Sequence, residues 1–365
     1  MFLIVTRNFP PDIGGIQILM EGLSKSLLDH GPVQVFADGF ENSESYDLTS
    51  QMNIVRTKGI KLFKKYRKAN LVNNFIRENS SIRAIFFDHW KSLELINREL
   101  LNKTKTFCLI HGKEINHSIG SLINKRIIAS LDKSNFVIAN SNFTKNLSLK
   151  IGINPSKVNI INPGVEKPKN IKKDFIIKAE NIFGNSYPKI ITVARLDKRK
   201  GHDKILMLIK NLKIKFPKIK YVSVGFGDEE KNLVKLKKTL DIENEVVFIN
   251  NTSKDLKLAL IKNSNLFLMP SRIEKKSVEG FGISFMEAAS YGVASIGGKD
   301  GGASDAIRHD KTGLICDGNN LNSIYDAVLN FFENKNSIEY GKAASNFSEN
   351  FYWDKIIKKY INLIN

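Results

Sequence analysis

The chain has 365 residues, more than one compact core of ordinary size contains, so its length predicts two domains. A composition of 42% hydrophobic and 25% charged residues excludes general disorder, and two cysteines are too few for a disulfide scaffold. Because 56 Lys and Arg accompany 37 Asp and Glu, the formal net charge is +19, which implies an anionic partner: nucleic acid, a phosphorylated ligand or an acidic membrane.

The start of the chain bears on its location in the cell. Residues 1–5 are apolar, but this run is too short for a signal-peptide core and no basic residue precedes it. No later run approaches the roughly 18 apolar residues that a membrane span needs. The sequence therefore predicts a cytoplasmic protein, and a peripheral position on the inner face of the membrane stays open.

Predicted strands and helices alternate along the first half of the chain. The apolar opening run forms the first strand, and a helix over residues 16–30 follows with apolar residues at helical spacing. Further strands are predicted at 33–37, 84–87, 106–110 and 136–140. This alternation indicates βαβ units and a parallel sheet.

The pattern breaks at Asn162-Pro163-Gly164-Val165 and a lysine-rich stretch, 167–178, which together predict an interdomain region. It then restarts, with strands predicted at 189–194, 220–225, 245–249 and 265–269 and helices over 202–216, 229–240 and 256–263. The predicted fold class is α/β, with two doubly wound halves. The N-terminal domain is predicted over 1–165 and the C-terminal domain over 166–350.

The strongest chemical motif lies at residues 277–289. Gly280 and Gly282 let the backbone approach a ligand closely, and a helix that starts there exposes amides suited to a phosphate. Glu287, one turn into that helix, can accept two adjacent hydroxyls such as those of a ribose, and Glu279 can face the other end of the ligand. The alternative is a capped helix with two solvated glutamates.

Three further loops follow predicted strands at their carboxyl ends, where open α/β sheets bind ligands. Arg195 and Lys200 would together neutralise a diphosphate, and a solvated basic loop is the alternative. Gly225 begins a Gly-Phe-Gly turn without the third glycine of a dinucleotide fingerprint, so a nucleotide-lining loop and a plain turn are both open. Gly14 and Gly15 suit backbone contact with an anion.

His111 follows the strand predicted at 106–110, where a side chain can meet substrate; a structural histidine is the alternative. The sequence has no Asp-x-Asp pair, no His/Cys cluster at metal-ligand spacing, no P-loop and no Gly-x-Ser-x-Gly elbow. Metal catalysis and serine hydrolysis therefore have little support, and no metal ligand is predicted.

Residues 56–68 carry seven basic residues and no acidic one, interleaved with apolar and aromatic residues. Such a segment can lie on an anionic membrane or bind a nucleic-acid backbone, and a solvated loop is the alternative. The cations predicted to contact an acceptor or a membrane are Lys61, Lys64, Lys65, Arg67 and Lys68.

Together these motifs resemble the retaining glycosyltransferases of family 4, above all the phosphatidylinositol mannoside mannosyltransferases and related enzymes of cell-envelope synthesis. The likeness spans nearly the whole chain. It is carried, in the family's order, by the Asn8-Phe9-Pro10-Pro11 … Gly14-Gly15-Ile16-Gln17 opening, the Arg195-Leu196 … Lys200-Gly201 loop, the Glu279-Gly280-Phe281-Gly282 turn and the spacing of Glu279 to Glu287. It implies the GT-B fold, two Rossmann-like domains facing across a cleft, with a C-terminal helix at 351–365 packing back on the first domain.

The resemblance also implies a role for each matching position. His111 would contact the transferred sugar, Arg195 and Lys200 would hold the donor diphosphate as the sugar leaves, and Glu279 would bind sugar hydroxyls. The implied catalytic residues are His111, Arg195, Lys200 and Glu279, and the implied donor-binding residues include Gly14, Gly15, Gly225, Gly280, Phe281, Gly282 and Glu287 as well.

The implied reaction is a metal-independent, retaining transfer of a hexose, mannose favoured, to a glycan or lipid-linked acceptor in envelope polysaccharide, lipopolysaccharide or glycolipid synthesis. The donor is a nucleotide sugar, GDP-mannose favoured over UDP-sugars, and no cofactor is implied. The motif order favours an anionic membrane over nucleic acid as the partner of the basic segment. Two alternatives stay open: a nucleotide-sugar epimerase or a phosphorylase on the same fold, and a non-enzymatic binder of nucleic acid or an anionic surface.

Overall fold

The computed structural model describes residues 1–333 and 337–365, and for Lys61 and Leu62 it describes the backbone only. The chain divides into two compact units. The N-terminal unit comprises Met1–Glu166 and Phe351–Asn365, and the C-terminal unit comprises Lys167–Asn350. Each unit has its own apolar core around a parallel sheet.

Seven strands form the sheet of the N-terminal unit: β1 (Phe2–Val5), β2 (Val33–Asp38), β3 (Asn53–Thr57), β4 (Ala84–Phe87), β5 (Lys105–Ile110), β6 (Phe136–Ala139) and β7 (Val158–Ile160). Their order is β3-β2-β1-β4-β5-β6-β7, and every pairing is parallel. The helices are α1 (Gly15–Leu28), α2 (Ser43–Thr49), α3 (Lys61–Glu78), α4 (Trp90–Leu93), α5 (Arg98–Leu101), α6 (Leu122–Leu131) and α7 (Asn142–Lys150). Every residue of β1 and β4 is buried, because helices cover both faces of a parallel sheet.

Six parallel strands form the sheet of the C-terminal unit: β8 (Lys189–Val193), β9 (Lys220–Val224), β10 (Val246–Ile249), β11 (Leu266–Met269), β12 (Ser295–Gly298) and β13 (Gly313–Cys316). Their order is β10-β9-β8-β11-β12-β13. The helices are α8 (Lys173–Phe183), α9 (His202–Lys215), α10 (Glu230–Thr239), α11 (Lys254–Lys262), α12 (Ile283–Ser290), α13 (Ala303–Ala306), α14 (Leu321–Glu333) and α15 (Ser337–Ser348).

The last helix, α16 (Trp353–Ile364), belongs to the N-terminal unit and packs against α1. Its first residue, Trp353, contacts Gly22 and Gly164 so closely that a Cβ at either glycine would overlap the indole ring. Tyr360 is buried on the same helix, with its ring edge toward the aromatic rings of β4 and β5. These contacts tie the end of the chain to its beginning.

The predicted α/β class is confirmed, since all strands of both described sheets pair in parallel. The sequence did not predict β3, β7, β12 and β13, because polar residues or glycines interrupt the first three and β13 (Gly-Leu-Ile-Cys) is a run of only three apolar side chains. The strand β12 reads Ser-Ile-Gly-Gly, and β3 carries Asn53 and Arg56 and is only partly buried. Hydrophobic periodicity identifies strands that are rich in apolar residues and does not identify segments of this kind.

Candidate active site

Both sheets reverse their strand order at one point, and predicted site residues follow the strands on either side of it. The reversal lies between β1 and β4 in the N-terminal unit and between β8 and β11 in the C-terminal unit. Ligands of open α/β sheets bind outside the carboxyl ends of the strands at such points. Gly14 follows β1, Arg195 follows β8 and Glu279 follows β11, so all three lie in the loops that this rule selects.

The loop after β8 is held by the loop after β9. The Leu196 amide donates to the Phe226 carbonyl at 3.0 Å, and the Glu229 amide donates to the Leu196 carbonyl at 3.0 Å. Gly225 has a φ of +143°, and a Cβ there would overlap the Ala194 carbonyl. The close approach of the two loops therefore requires glycine at position 225. A contact between Gly225 and a nucleotide stays a prediction.

Glu279 forms a buried ion cluster with two cations of the β8 loop. Its Oε2 atom accepts from Arg199 Nη1 at 2.6 Å and from Lys200 Nζ. Each of the three residues is only 8% exposed. The alternatives of a solvated glutamate at 279 and a solvated lysine at 200 are therefore wrong. Both bonds go to Oε2, so Oε1 accepts no hydrogen bond from the part of the chain that the structure describes.

The cluster fixes the charge of Glu279. Burial alone raises the pKa of this carboxyl group, but the charges and hydrogen bonds of Lys200 and Arg199 outweigh burial and lower it to about 2. Burial lowers the pKa of Lys200, and Glu279 acts against that effect. The ammonium of Lys200 has three N–H donors; one donates to Glu279 and one to Met269 Sδ at 3.6 Å, which leaves a donor for a further anion.

Arg272 anchors the same loop from the segment after β11. Its amide donates to the Arg199 carbonyl at 2.9 Å. Its guanidinium donates to both carboxylate oxygens of Asp203 on α9, at 2.9 and 3.0 Å. A bidentate Arg–carboxylate pair fixes orientation as well as distance, so this contact positions Arg199 and, next to it, Lys200.

Three helices at the two reversal points begin at a glycine. The N-cap residues of α1, α9 and α12 are Gly14, Gly201 and Gly282, and within the described residues no side chain caps these helices. By contrast, a serine hydroxyl accepts from a first-turn amide in α6, α7 and α11. A glycine cap leaves the first-turn amides unoccupied by side chains, and free amides at a helix N-terminus favour an anion.

The remaining predicted residues of the C-terminal unit lie at the same edge of the sheet. Glu287 lies on α12, and its Oε1 accepts from Lys257 Nζ at 2.7 Å. The side chain of Arg195 is 64% exposed, with Nη2 at 3.7 Å from Asp197 Oδ2. Phe281 is buried and Gly280 precedes it in the turn to α12. Of the two cations predicted to hold the diphosphate, Arg195 is thus exposed and Lys200 is buried.

In the N-terminal unit, Asp88 holds the loops after β1 and β4 together. Its carboxylate is fully buried and accepts from the Arg7 amide at 2.9 Å, Thr6 Oγ1 at 2.9 Å and Ser92 Oγ at 2.6 Å. The Asp88 carbonyl lies 2.8 Å from His111 Nε2. Because a carbonyl only accepts, Nε2 carries the proton, and Nδ1 of a neutral His111 is left unprotonated.

The basic segment is the end of β3 and the first turns of α3. Lys64 is half-buried, Lys65 and Arg67 are exposed, and the side chain of Lys61 lies outside the described residues. The prediction that Lys68 meets a membrane is wrong: it is 4% exposed, and its ammonium donates to the Thr6 carbonyl at 2.7 Å and to Asp38 Oδ1 at 2.6 Å. None of the helices, over the described residues, is long and apolar enough to cross a membrane.

His202 gives the C-terminal unit an expected pH dependence. It is fully buried, with Nε2 at 3.2 Å from the Arg195 carbonyl, and burial lowers its pKa from 6.5 to about 4. A pKa that is lower in the folded state means that protonation favours unfolding. The contribution of neutral His202 to the free energy of unfolding is therefore complete above pH 6.5 and is lost as the pH falls toward 4. We expect urea unfolding of His202→Gln to show a smaller loss of stability between pH 7 and 4.5 than the wild type. Equal losses in the two proteins would contradict this assignment.

Sequence reasoning missed Arg199, Arg272 and Asp88. Arg199 stands next to Lys200, and Asp88 directly follows an apolar strand, so a charged residue at a strand's carboxyl end was the available signal. Arg272 gave no signal, because its partner Asp203 is 69 residues away. Within residues 1–333 and 337–365, no three His, Cys, Asp or Glu side chains are grouped so as to hold a metal ion.

This chain is similar to known glycosyltransferases. The model of the family "Glycosyl transferases group 1" matches residues 173–352, which include the ion cluster and the start of α12. A GDP-mannose-dependent alpha-(1-6)-phosphatidylinositol monomannoside mannosyltransferase of Mycobacterium tuberculosis is 25% identical, over 98% of this chain and 96% of that protein. An N-acetyl-alpha-D-glucosaminyl L-malate synthase of Bacillus anthracis is 24% identical over 96% of this chain and 93% of its own length.

A solved structure supports the fold over the whole chain. The Anabaena protein HepE, crystallised in complex with UDP, superposes with a TM-score of 0.82 at 16% sequence identity. The match covers 100% of this chain and 99% of that one. With two parallel Rossmann-like sheets of seven and six strands, the expected GT-B fold is confirmed.

Proposed function

We propose that this chain, which has the GT-B fold, is a glycosyltransferase of group 1 and transfers a hexose from a nucleotide-diphosphate sugar with retention of configuration and without a metal ion. The observation that carries the proposal is the buried cluster of Arg199, Lys200 and Glu279, at the strand-order reversal and beside the glycine-capped starts of α9 and α12. Cations and free amides together suit a diphosphate.

In this proposal the C-terminal unit binds the donor. Lys200 and Arg195 hold the diphosphate and stabilise the charge that grows on it as the glycosidic bond breaks. The free Oε1 of Glu279 accepts a hydroxyl of the sugar, while its Oε2 keeps Lys200 in position. Glu287, with only Oε1 engaged by Lys257, accepts the ribose hydroxyls. Gly225, Gly280, Phe281 and Gly282 contribute backbone around the phosphates.

The N-terminal unit contributes Gly14, Gly15 and His111 and binds the acceptor. The unprotonated Nδ1 of His111 is available to a hydroxyl of the transferred sugar, because Nε2 is engaged with the Asp88 carbonyl. The leaving diphosphate itself takes the proton of the acceptor hydroxyl on the same face of the sugar, so no protein nucleophile is needed. Catalysis then rests on positioning and on electrostatic stabilisation of the leaving group.

The donor we propose is GDP-mannose, on the strength of the mycobacterial relative, whose reaction depends on that donor. The acceptor is a glycan or lipid-linked glycan of envelope synthesis, and the protein acts at the inner face of the cytoplasmic membrane. The exposed start of α3 supports such a contact, since Lys65 and Arg67 lie beside Phe63 and Tyr66, which are 61% and 50% exposed.

Thermal unfolding with nucleotide sugars tests the proposed donor. We expect GDP-mannose to raise the melting temperature more than UDP-glucose or UDP-N-acetylglucosamine, and to release GDP slowly on incubation. A ligand present at about 100 times its Kd stabilises the folded state by roughly 2.7 kcal/mol. A larger response to a UDP-sugar would overturn the donor assignment alone, and no response to any nucleotide sugar would overturn the function.

A further inference from the structure

A cavity of about 410 Å³ lies in the N-terminal unit at the reversal point between β1 and β4. It is lined by the segments that follow these two strands, including α4, by the end of β2, by α3 and by α6. Six of its lining residues are cations: Arg7, Lys64, Lys65, Lys68, Lys91 and Arg126. The position is the one at which open α/β sheets bind ligands, so the fold itself makes the cavity a candidate site.

The cations of the cavity outnumber its carboxylates. Only Asp38 and Glu94 oppose them among the lining residues, and both are already paired, Asp38 with Lys68 at 2.6 Å and Glu94 with Arg126 at 2.8 Å. The other four cations, Arg7, Lys64, Lys65 and Lys91, form no ion pair with any residue that the structure describes. Four cations without an ion-pair partner around one cavity favour the binding of an anionic ligand.

These cations act on one another across the cavity. The pKa of Lys91 is lowered first by partial burial and then by the nearby charges of Arg7, Arg126 and Lys65, with Glu94 acting against them. Mutual repulsion of this kind is relieved when an anion binds. A phosphate ester suits four converging cations better than a carboxylate, because it carries up to two charges and offers three or more acceptor oxygens.

The cavity wall is also tied to His111. Ser92, which lines the cavity, donates to Asp88 Oδ1, and the Arg7 amide donates to Asp88 Oδ2. The carbonyl of Asp88 holds His111 Nε2 at 2.8 Å. Asp88 therefore contacts both the wall of the cavity and the histidine assigned to the transferred sugar. The volume of the cavity is near the lower end of ordinary small-molecule sites, about 300–1,000 Å³, and fits a headgroup rather than a polymer chain.

We propose that this cavity binds a phosphate ester group of the acceptor, with Arg7 and Lys91 as its principal ligands and Lys64, Lys65 and Arg126 around them. The inference rests on the proposed function, because it names the chemical class of that reaction's acceptor. A phosphorylated soluble glycan and a phospholipid-linked headgroup both offer this group. The acceptor's phosphate is held in the cavity while its hydroxyl is presented toward His111.

Isothermal titration of the full chain tests the site. The probes are inorganic phosphate, glycerol 3-phosphate and nanodiscs that contain phosphatidylglycerol in phosphatidylcholine, each with saturating GDP so that a donor site is filled. The test variant is Arg7→Gln/Lys91→Gln, whose side chains are both exposed, and the control is Lys103→Gln/Lys125→Gln, which removes the same charge from exposed positions of the same unit. Circular dichroism checks the folding of both.

We expect the test variant to weaken binding of glycerol 3-phosphate at least about tenfold and the control variant to change it less than about twofold. Binding of the soluble ester indicates a soluble acceptor, and binding of the nanodiscs alone, lost in the same variant, indicates a lipid headgroup. No binding of any probe, or equal binding by the test and control variants, would overturn the inference. The response of the wild type to nucleotide sugars is measured separately, so failure of the cavity and failure of the proposed function remain distinguishable.

Discussion

Replacing Lys200 with alanine is expected to lower the turnover number for nucleoside diphosphate release by roughly 10²–10³, the cost of removing one preorganised donor from a developing negative charge. Lys200 is a buried cation of the loop after β8, held by Glu279 and, through the adjacent Arg199, by the Arg272–Asp203 pair. The variant should remain folded, because Arg199 still neutralises Glu279.

Lys198→Ala is the matched control for this prediction. Lys198 lies on the same turn, two residues before Lys200, but its side chain is exposed. We expect its turnover number and melting temperature to stay close to those of the wild type. Turnover of Lys200→Ala within about threefold of the control would contradict the assignment of Lys200 to the leaving diphosphate, since a solvated lysine contributes little.

Replacing Glu279 with glutamine is expected to have the largest effect on stability. It leaves two buried cations, Arg199 and Lys200, without their carboxylate. Breaking a buried ion pair by removing one partner costs about 3–5 kcal/mol. Hydrogen exchange of the β8 and β11 amides measures this loss within the C-terminal unit. Glu243→Gln, at an exposed position of the same unit, is the control.

A double variant separates lost ion pairing from other effects of the substitution. In Glu279→Gln/Lys200→Met, one of the two uncompensated cations is gone, so the double variant should be more stable than Glu279→Gln alone. The coupling between the two substitutions is expected to be favourable by more than about 1 kcal/mol, as for residues of one charge network. Additive effects would contradict the account of a mutually dependent cluster.

Much of the fold was predictable because parallel strands are apolar on both faces. The strand predicted at 84–87 is β4, and its four residues are all buried. The ends of helices were harder to predict. The helix predicted over 16–30 ends at Leu28, because the amides of His30 and Gly31 donate to the carbonyls of Leu27 and Leu28 in a turn. Buried strands and amphipathic helices are encoded in short, local patterns of apolar residues, so they can be predicted from the sequence.

The site was only half predictable, because its contacts join distant segments. The loop that holds Lys200 and the residue Glu279 could each be identified as candidates, but their bond spans 79 residues. The basic segment shows the same limit: Lys68 looks like a surface cation, and only the fold reveals that it reaches Asp38, 30 residues earlier. Charge alone does not distinguish a solvated cation from a buried, paired one.

We expect the Arg199–Lys200–Glu279 cluster and the start of α12 to bind the donor diphosphate. Hydrogen exchange of the full chain with and without GDP-mannose tests it without any need for the acceptor. We expect the donor to protect the amides of residues 195–203 and 279–287, and to lose that effect in Lys200→Ala. If no nucleotide sugar changes hydrogen exchange in these two segments, the donor does not bind there and the assignment is wrong.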